Sequence, residues 1–351
     1  MIPPPAPNQQ QLNPREVLRD EGKDGIAARL CEAGYRVQSQ LLDDYVQVLR
    51  SGKIWMIEGE PGSGKSAVAF ATQLAFNLTM FPIQGMSELK LGDLMYEWDR
   101  EAQSQFVIQS VSSGTKNLEE AQSEQYRMSF LKLGRALDAF HFAAQTGKVP
   151  LLFFDEVDKL PEHLQDMLLG LLECGYAYVP HYDQPIGLYD SNTNGTNRAL
   201  FPLAIFTSNN LRFKLSPPFR SRCFYSWLDK PTPEEEVLIL RTRVPEASPN
   251  QVRAVVKINE SIKAIPGVQN KPGLRELIDL LAAFVRDEVR EVNENVLGSY
   301  VGYLAKQQSQ AKSLRLALAR VASETHQPDA AIDMWIARAF GREQIFMRDA
   351  A

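Results

Sequence analysis

The sequence has few of the residues that mark secreted, metal-binding or membrane proteins. Its 351 residues include only three cysteines and four histidines, and neither set has the close spacing of a zinc site. The cysteines, Cys31, Cys174 and Cys223, are odd in number and far apart, which predicts free thiols in a reducing compartment and hence a cytoplasmic protein. No apolar run approaches the roughly 18 residues that a membrane helix needs, so no membrane segment is expected.

An excess of positive charge is also missing. The 38 Lys and Arg residues against 43 Asp and Glu residues give a net charge of −5, so a nucleic-acid partner is not expected from the overall balance. Hydrophobic residues make up 44% of the chain and charged residues 23%, which is ordinary for a globular protein. A length of 351 residues predicts two or three domains.

The most informative stretch that is present runs from Gly59 to Ser66, between an apolar segment and a helix-compatible run. Its members are Gly59, Glu60, Pro61, Gly62, Ser63, Gly64, Lys65 and Ser66. Glycines let backbone N–H groups face phosphates, a lysine reaches the β- and γ-phosphates, and the serine hydroxyl is a ligand for Mg²⁺. A glycine-rich turn without a ligand is the alternative. The spacing favours a phosphate-binding loop.

A second signal lies about 90 residues after Lys65. The apolar segment 149–154 leads directly into Asp155 and Glu156, as expected of a strand that is buried on both faces of a parallel sheet. Strand ends of such sheets carry ligands. Asp155 is therefore predicted to hold the Mg²⁺ water shell and Glu156 to polarise an attacking water, although two solvated carboxylates are the simpler interpretation.

A third apolar segment, 203–207, ends at Ser208 and Asn209. The Asn209 amide is predicted to sense the γ-phosphate or to orient water, whereas an asparagine after a strand is more commonly a turn residue. Between the second and third strands, apolar residues at helical intervals predict an amphipathic helix whose stripe packs into the core. The stripe consists of Leu164, Met167, Leu168, Leu171 and Leu172.

The order of these motifs resembles the AAA+ ATPases over about residues 30–290, and most closely the MoxR-like branch. The stretch 52–66 is similar to that branch's GKxxLLEGxPGxGKT opening, and Asp155–Lys159 with 168–173 is similar to its DEIxR…LLExxEE pattern. The resemblance implies an α/β fold of the P-loop NTPase type, in which helices flank a parallel sheet. A smaller all-α lid domain is implied as well. It also implies ATP and Mg²⁺ as ligands and Asn209 as the sensor asparagine. Spacing alone does not distinguish ATP from GTP.

The resemblance further implies an arginine finger within 217–224 that acts on a neighbouring subunit's nucleotide. Both Arg220 and Arg222 are candidates. The MoxR-like Asp-Arg-Phe pattern and the clamp-loader Ser-Arg-Cys pattern each align with Arg222, so Arg220 is expected to assist or to pair with carboxylates. Arg275, in a loose Gly-Leu-Arg-Glu motif, resembles the second sensor and would face the γ-phosphate. An ordinary surface arginine is the alternative.

Composition predicts three parts: a flexible extension at 1–15, the nucleotide-binding domain at 16–229, and a helical lid with C-terminal helices at 230–351. Thr232 with Glu235 three residues later predicts a capping box at the start of the lid. Two insertions, 103–135 and 176–200, are the expected partner-facing elements. The tyrosines of the second are equally consistent with a substrate-contacting hairpin and with packing against the sheet.

Together these expectations predict a homo-oligomeric, hexamer-like ring of the kind that the resemblance implies. The ring would hydrolyse ATP to remodel or assemble a protein partner. The resemblance suggests a partner that carries a von Willebrand factor A domain. The alternative is a DNA-associated ATPase of the clamp-loader or replication type, motivated by Ser221–Cys223 and opposed by the acidic balance. A third hypothesis, a nucleotide-bound scaffold with little turnover, is opposed by the presence of Lys65, Glu156 and Arg222.

Overall fold

The computed structural model describes residues 10–209, 215–265, 272–305 and 307–341, without the side chain of residue 309. The chain divides into two compact units. Unit 1 consists of Met1–Ala33, Val37–Gly59 and Lys65–Leu228, and unit 2 of Gly34–Arg36, Glu60–Gly64 and Asp229–Ala351. The first helix begins at Pro14. Most of the predicted flexible extension, residues 1–9, lies outside the described residues, and the predicted domain boundaries stay predictions.

Unit 1 contains helices and strands in alternation. Its helices are α1 (Pro14–Glu32), α2 (Ser39–Ser51), α3 (Lys65–Phe76), α4 (Leu91–Leu94), α5 (Arg100–Ser112), α6 (Leu118–Glu124), α7 (Arg135–Thr146), α8 (Glu162–Cys174) and α9 (Pro217–Ser221). Its strands are β1 (Ile54–Glu58), β2 (Met80–Gln84), β3 (Tyr96–Trp98), β4 (Leu131–Leu133), β5 (Leu151–Asp155), β6 (Tyr176–Ala177), β7 (Ile186–Gly187), β8 (Tyr189–Asp190), β9 (Gly195–Thr196), β10 (Leu203–Ser208) and β11 (Cys223–Trp227).

Five of these strands form one parallel sheet in the order β11-β1-β10-β5-β2. All five residues of β1 and all six of β10 are buried, because helices cover both faces of the sheet. The α/β class with a parallel sheet, predicted from the apolar runs, is confirmed. The strands that carry the phosphate loop and the Asp155–Glu156 pair are β1 and β5, and β10 lies between them.

Aromatic and aliphatic side chains fix the helices to this sheet. Trp55 of β1 is fully buried and stacks on Tyr45 of α2, with ring centroids 4.9 Å apart. Its indole Nε1 donates a hydrogen bond of 2.7 Å to the hydroxyl of Ser226 in β11. On α8 the predicted stripe is buried at Leu164, Leu168 and Leu171. Met167 is 40% exposed, so its assignment to the core was wrong, because the buried face of α8 is narrower than the apolar stripe.

The first insertion, 103–135, contains regular secondary structure. The antiparallel pair of β3 and β4 brackets α5 and α6. A capping box starts α6, with the Asn117 side chain accepting from Glu120 N at 2.8 Å and the Glu120 carboxylate accepting from Asn117 N at 3.2 Å. The insertion contacts the second one through Tyr126, whose ring stacks on His181 with centroids 4.5 Å apart.

The second insertion consists of two short antiparallel pairs, β6–β7 and β8–β9. Asn194, at the predicted Asn-Gly turn, has φ of 49°, and its side chain accepts a hydrogen bond of 2.6 Å from the Tyr189 hydroxyl. The tyrosines do not share one environment. Tyr176 packs edge-on to Tyr189 at 5.0 Å, whereas Tyr178 is 64% exposed.

Unit 2 is helical throughout its larger part. Its helices are α10 (Pro233–Arg243), α11 (Pro249–Lys263), α12 (Leu274–Arg286), α13 (Glu294–Leu304), α14 (Gln308–His326) and α15 (Ala330–Gly341). The predicted capping box of Thr232 and Glu235 is confirmed at the start of α10. The predicted C-terminal helices extend beyond residue 341, but residues 342–351 lie outside the described residues. No helix in the described part of the chain is both long and apolar enough to cross a membrane.

Candidate functional site

The site lies where the parallel strands of unit 1 end. The register places Glu58, the last residue of β1, beside Ser208, the last residue of β10, and it places Gln84 of β2 beside Asp155 of β5. The carboxyl ends of the strands therefore line one edge of the sheet, where α/β folds bind their ligands. Polar residues that are far apart in sequence become neighbours at this edge.

The loop that joins β1 to α3 has the backbone conformation that its glycines predict. Gly62 has φ of 85° and Gly64 has φ of 92°, which glycine adopts without the steric penalty of other residues. Within the loop, Ser63 N donates to Glu60 O at 3.2 Å. The Glu60 side chain forms an exposed ion pair with Lys230. Glu60 therefore contributes to the loop through its backbone carbonyl.

Lys65 and Ser66 begin α3 and extend the loop into the site. The Lys65 ammonium donates to Gly59 O at 2.8 Å. Burial lowers the pKa of Lys65, and the nearby carboxylates, Asp155 first among them, oppose that shift by favouring the charged form. The Ser66 hydroxyl donates to Asp155 Oδ1 at 2.9 Å. The structure thus brings the predicted metal ligands Ser66 and Asp155 together.

Thr207 of β10 links the two acidic residues and was not found from the sequence. Its hydroxyl donates to Asp155 Oδ1 at 2.5 Å and accepts from Glu156 N at 2.9 Å. The side chain is fully buried. A threonine near the end of an otherwise apolar strand was the available signal. The role of this threonine depends on β10 lying beside β5, and the order of the strands in the sheet cannot be predicted from the residue itself.

Glu156 follows β5 in a left-handed backbone conformation, with φ of 57°. A glutamate rarely adopts this conformation, and such strain is concentrated at functional sites. Its carboxylate accepts hydrogen bonds from Asn209 Nδ2 at 3.0 Å and from Gln84 Nε2 at 2.9 Å, and it pairs with Lys159. The predicted contact partner Asn209 is therefore at the site. Gln84 and Lys159 are further site residues that sequence reasoning missed.

Gly85 lies directly against the backbone of the acidic pair. Its N–H donates to Asp155 O at 2.7 Å. A Cβ atom at this position would lie 2.7 Å from the carbonyl carbon of Glu156 and 3.0 Å from Asp155 O, which is closer than nonbonded atoms approach. The edge strand β2 can therefore support the turn at Glu156 only with glycine after Gln84.

Two further carboxylates are buried beside the site. Asp158 is 1% exposed and accepts a hydrogen bond of 3.1 Å from Asn209 N. Glu58, at the end of β1, is 8% exposed. Burial raises the pKa of Glu58, and the positive charge of Arg220 partly reverses this effect.

The two candidate finger arginines have different surroundings. Arg220 places its guanidinium 5.6 Å from the centroid of the Tyr225 ring and near Glu58. Arg222 is exposed, forms an ion pair with Glu173 at the end of α8, and donates to Pro218 O at 3.0 Å. Arg220 thus contacts Tyr225 of β11 and acts electrostatically on Glu58 of β1 in its own chain, and its expected role stays a prediction. The role of Arg222 stays a prediction.

Arg275 is exposed on the first turn of α12 in unit 2. The same turn is closed by Glu276, whose carboxylate accepts from Gly273 N at 3.0 Å. The sensor role that the sequence suggested for Arg275 stays a prediction.

The residues present fit Mg²⁺ and a nucleoside triphosphate. Ser66 and Asp155 supply one hydroxyl and one carboxylate within 2.9 Å of each other. Mg²⁺ binds proteins through such small oxygen sets and completes its coordination with phosphate oxygens and water. Added Cβ atoms at Gly62 and Gly64 would meet no atom within 4 Å, so the loop glycines border open space where a phosphate group fits.

A parallel sheet with this loop after its first strand and an acidic pair after β5 defines a P-loop NTPase. Residues 54–223, just under half of the chain, match the family described as AAA domain (dynein-related subfamily). This part of the chain is therefore similar to an AAA domain, and the match supports an AAA+ ATPase. No curated protein matches the chain. An AAA domain implies nucleotide binding, usually with Mg²⁺, and a general ATPase activity, and proteins with such domains typically oligomerise.

Proposed function

We propose that this chain is a MoxR-like AAA+ ATPase that hydrolyses ATP in a homo-oligomeric, hexamer-like ring and uses the energy to remodel or assemble a protein partner. One observation carries the hydrolytic part. The hydrogen bond between Ser66 and Asp155 and the one between Asn209 and Glu156 bring a metal-binding pair and a base with its orienting amide to one sheet edge.

Ser66 and Asp155 would hold Mg²⁺, which would supply positive charge against the phosphates. Lys65 would leave its contact with Gly59 O to reach the phosphates, and its charge is favoured by the surrounding carboxylates. Thr207 keeps Asp155 in place through its short hydrogen bond.

Glu156 is the proposed general base. Its carboxylate takes a proton from water while the water oxygen forms a bond to the γ-phosphorus and the bond to the β,γ-bridging oxygen breaks, which gives ADP and phosphate. The carboxylate now accepts hydrogen bonds from Asn209 and Gln84 and pairs with Lys159. A carboxylate accepts about four hydrogen bonds, so an acceptor position remains for the attacking water beside these three donors. Asn209 is then placed to orient that water.

Arg222 is the proposed finger for a neighbouring copy's nucleotide. It is exposed and its pairing with Glu173 is a surface ion pair, which costs little to open. An arginine finger contributes about 10³ to 10⁵ in rate. Arg220 is not the finger in this proposal, because its guanidinium lies over Tyr225 and beside Glu58 of the same chain. Arg275 would sense the γ-phosphate.

Phosphate release measured over a protein concentration series tests the ring mechanism. Activity per subunit should rise with concentration and fall about 10³-fold or more in Arg222→Ala, with ATP binding retained. The matched control Arg19→Ala removes an exposed arginine that forms a surface ion pair with its neighbour Asp20, and it should leave the rate unchanged. Equal activity per subunit at all concentrations, or full activity of Arg222→Ala, would contradict the trans finger.

The client class rests on the resemblance to the MoxR-like branch, which suggests a protein with a von Willebrand factor A domain. A Glu156→Gln variant loaded with Mg²⁺-ATP should retain its client, which mass spectrometry can identify after crosslinking in the source cells. A von Willebrand factor A protein among the ATP-dependent crosslinks supports the proposal. ATPase activity stimulated by primed DNA with steep salt dependence would favour the clamp-loader alternative instead.

A further inference from the structure

Unit 2 contains a cleft of about 450 Å³ that the ATPase mechanism does not use. It lies along α10 and α15, and Arg36, from the short stretch Gly34–Arg36 of the same unit, contributes to its lining. This volume falls within the range of about 300–1,000 Å³ that binding pockets occupy.

The charges that line the cleft are mostly positive. Arg36, Arg241 and Arg338 face it together with a single carboxylate, Glu234. Arg338 contacts Glu234 at 3.3 Å, and both side chains are substantially exposed, so this pair is weak and open to competition. Guanidinium groups bind carboxylates with two parallel hydrogen bonds, and the cleft therefore favours an anionic occupant.

Apolar groups lie between these charges. Leu238 of α10 and Trp335 of α15 line the cleft, and Trp335 is only partly buried. Tryptophan and arginine are the residue types that contribute most binding energy in protein interfaces. An occupant thus needs an apolar side chain as well as negative charge.

The shape favours an extended chain over a compact anion. Glu234, Leu238 and Thr242 lie on one face of α10 and line the cleft over nine residues, a rise of about 12 Å. About four residues of extended peptide cover that distance. Arg338 lies beside Glu234 at the start of this face, and Arg241 lies in its last turn, with its guanidinium 4.9 Å from the centroid of the Phe340 ring.

Arg36 is held on unit 2 by its neighbours in the chain. A Cβ atom at Gly34 would lie 3.9 Å from Thr242 Cγ2, which places this stretch at the same end of α10 as Arg241. Burial raises the pKa of the Tyr35 hydroxyl, and the positive charge of Arg243 opposes the shift. Two of the three arginines therefore lie near one end of the cleft and the third near the other.

We infer that this cleft binds a short acidic peptide segment of a protein partner, in which carboxylates flank an apolar side chain. The apolar side chain packs between Leu238 and Trp335. The carboxylates pair with Arg338 at one end and with Arg36 and Arg241 at the other. This inference does not depend on ATP hydrolysis, and it gives the chain a recognition site in its helical unit.

Fluorescence polarisation of the full chain with labelled peptides tests it. The probe is an eight-residue peptide with a central Leu-Phe pair flanked on each side by three Glu or Asp residues. One control peptide has Gln and Asn in place of the acidic residues, and a second has Ala-Ala in place of Leu-Phe. The acidic, apolar probe should bind saturably, more weakly at higher salt, and each control should bind at least about tenfold more weakly.

Variants connect the binding to the cleft. The double substitution Arg36→Gln with Arg338→Gln should weaken the probe about tenfold or more, whereas Arg315→Gln, an exposed arginine elsewhere in unit 2, should not change it. Trp335→Ala should weaken binding, and Trp335→Phe should restore most of it. Circular dichroism confirms folding, and the arginine variants should retain basal ATPase activity.

Other outcomes would overturn the inference. These are the absence of saturable binding, equal binding of the uncharged peptide, or an equal loss in Arg315→Gln. Displacement of the probe by inorganic phosphate or ATP, with the same sensitivity to the arginine variants, would assign the cleft to a phosphate compound. A change in sedimentation of the arginine variants, without peptide binding by the wild type, would assign it to a contact between copies. Loss of ATPase activity in Arg222→Ala or Glu156→Gln bears on the proposed function alone.

Discussion

Glu156 in unit 1 and Glu236 in unit 2 are two glutamates with nearly the same hydrogen-bond partners. Each accepts from an asparagine amide and pairs with a lysine: Glu156 with Asn209 and Lys159, and Glu236 with Asn259 at 2.9 Å and Lys263 at 3.2 Å. Partners alone therefore do not identify a functional carboxylate.

Their positions in the fold distinguish them. Glu156 follows a parallel strand at the ligand edge of the sheet, in a strained backbone conformation, and its carboxylate stays part-exposed. Glu236 lies in the first turn of α10, is 6% exposed, and joins α10 to α11. Burial raises the pKa of Glu236, against the opposing charge of Lys263. We expect the first carboxylate to determine activity and the second to affect only stability.

The same substitution at the two sites should separate these roles, and the larger effect is at Glu156. Glu156→Gln keeps the size of the side chain but cannot accept a proton from water, so kcat should fall about 10²- to 10⁴-fold. ATP affinity and the melting temperature should change little. Phosphate release measures the catalytic rate, and equilibrium nucleotide binding measures the affinity for ATP. Undiminished turnover in the variant would show that Glu156 is not the base.

Thr207→Val should affect both activity and stability, because this side chain lies inside the network. The substitution removes the acceptor of Glu156 N and one of the two hydroxyl donors to Asp155 Oδ1, which should cost about 1–3 kcal/mol in the free energy of unfolding and lower kcat about tenfold. Urea unfolding and steady-state rates test this. Thr146→Val is the matched control, since that exposed hydroxyl donates to Phe142 O and accepts from Lys148 N where water can replace both contacts, and the variant should stay within about 0.5 kcal/mol of the wild type.

Glu236→Gln should leave kcat unchanged and raise stability slightly at neutral pH. The folded state holds Glu236 at a raised pKa, so its contribution to stability is complete below the ordinary value of 4.5 and is lost as pH rises through the folded pKa. The neutral amide does not incur this loss. Thermal unfolding of both proteins from pH 4 to pH 8 should show the gap closing as pH falls, and a gap that widens toward low pH would contradict it.

The smallest effect concerns the thiols. Burial raises the pKa of Cys223 to about 12, whereas Cys31 and Cys174 are exposed. Because the thiolate is the reactive form, iodoacetamide at pH 8 should modify two cysteines in the folded chain and all three after unfolding. Peptide mapping gives the sites, and rapid labelling of Cys223 in the folded chain would show that β11 opens.

Sequence reasoning found the parts of the site that are local in the chain. The phosphate loop and the acidic pair are contiguous motifs, and Asn209 could be placed near Glu156 because parallel strands end at one edge. Thr207 and Gln84 were missed because their roles depend on which strands are neighbours, β10 beside β5 and β2 beside β5. That order arises from the packing of distant segments.

Local signals were also overlooked. Asn117 and Glu120 form a capping-box pattern in the polar first insertion, for which we predicted no helix and where the structure has α6. Conversely, the apolar stripe of α8 predicted a buried Met167, although apolar residues also occur on protein surfaces. The capping residues of a helix thus mark where it begins more reliably than its apolar residues mark which of its side chains are buried.

Trp55, which stacks on Tyr45, gives the chain an intrinsic fluorescence signal from its core. Trp55 is one of four tryptophans, is shielded from water, and lies in the strand that leads into the phosphate loop. Its emission should be blue-shifted and inaccessible to iodide, whereas Trp227, which is 58% exposed, should be quenched. Trp98 of β3 is also buried, so the unquenched fluorescence reports the packing around β1 and β3 together, and a Trp98→Phe variant isolates the contribution of β1.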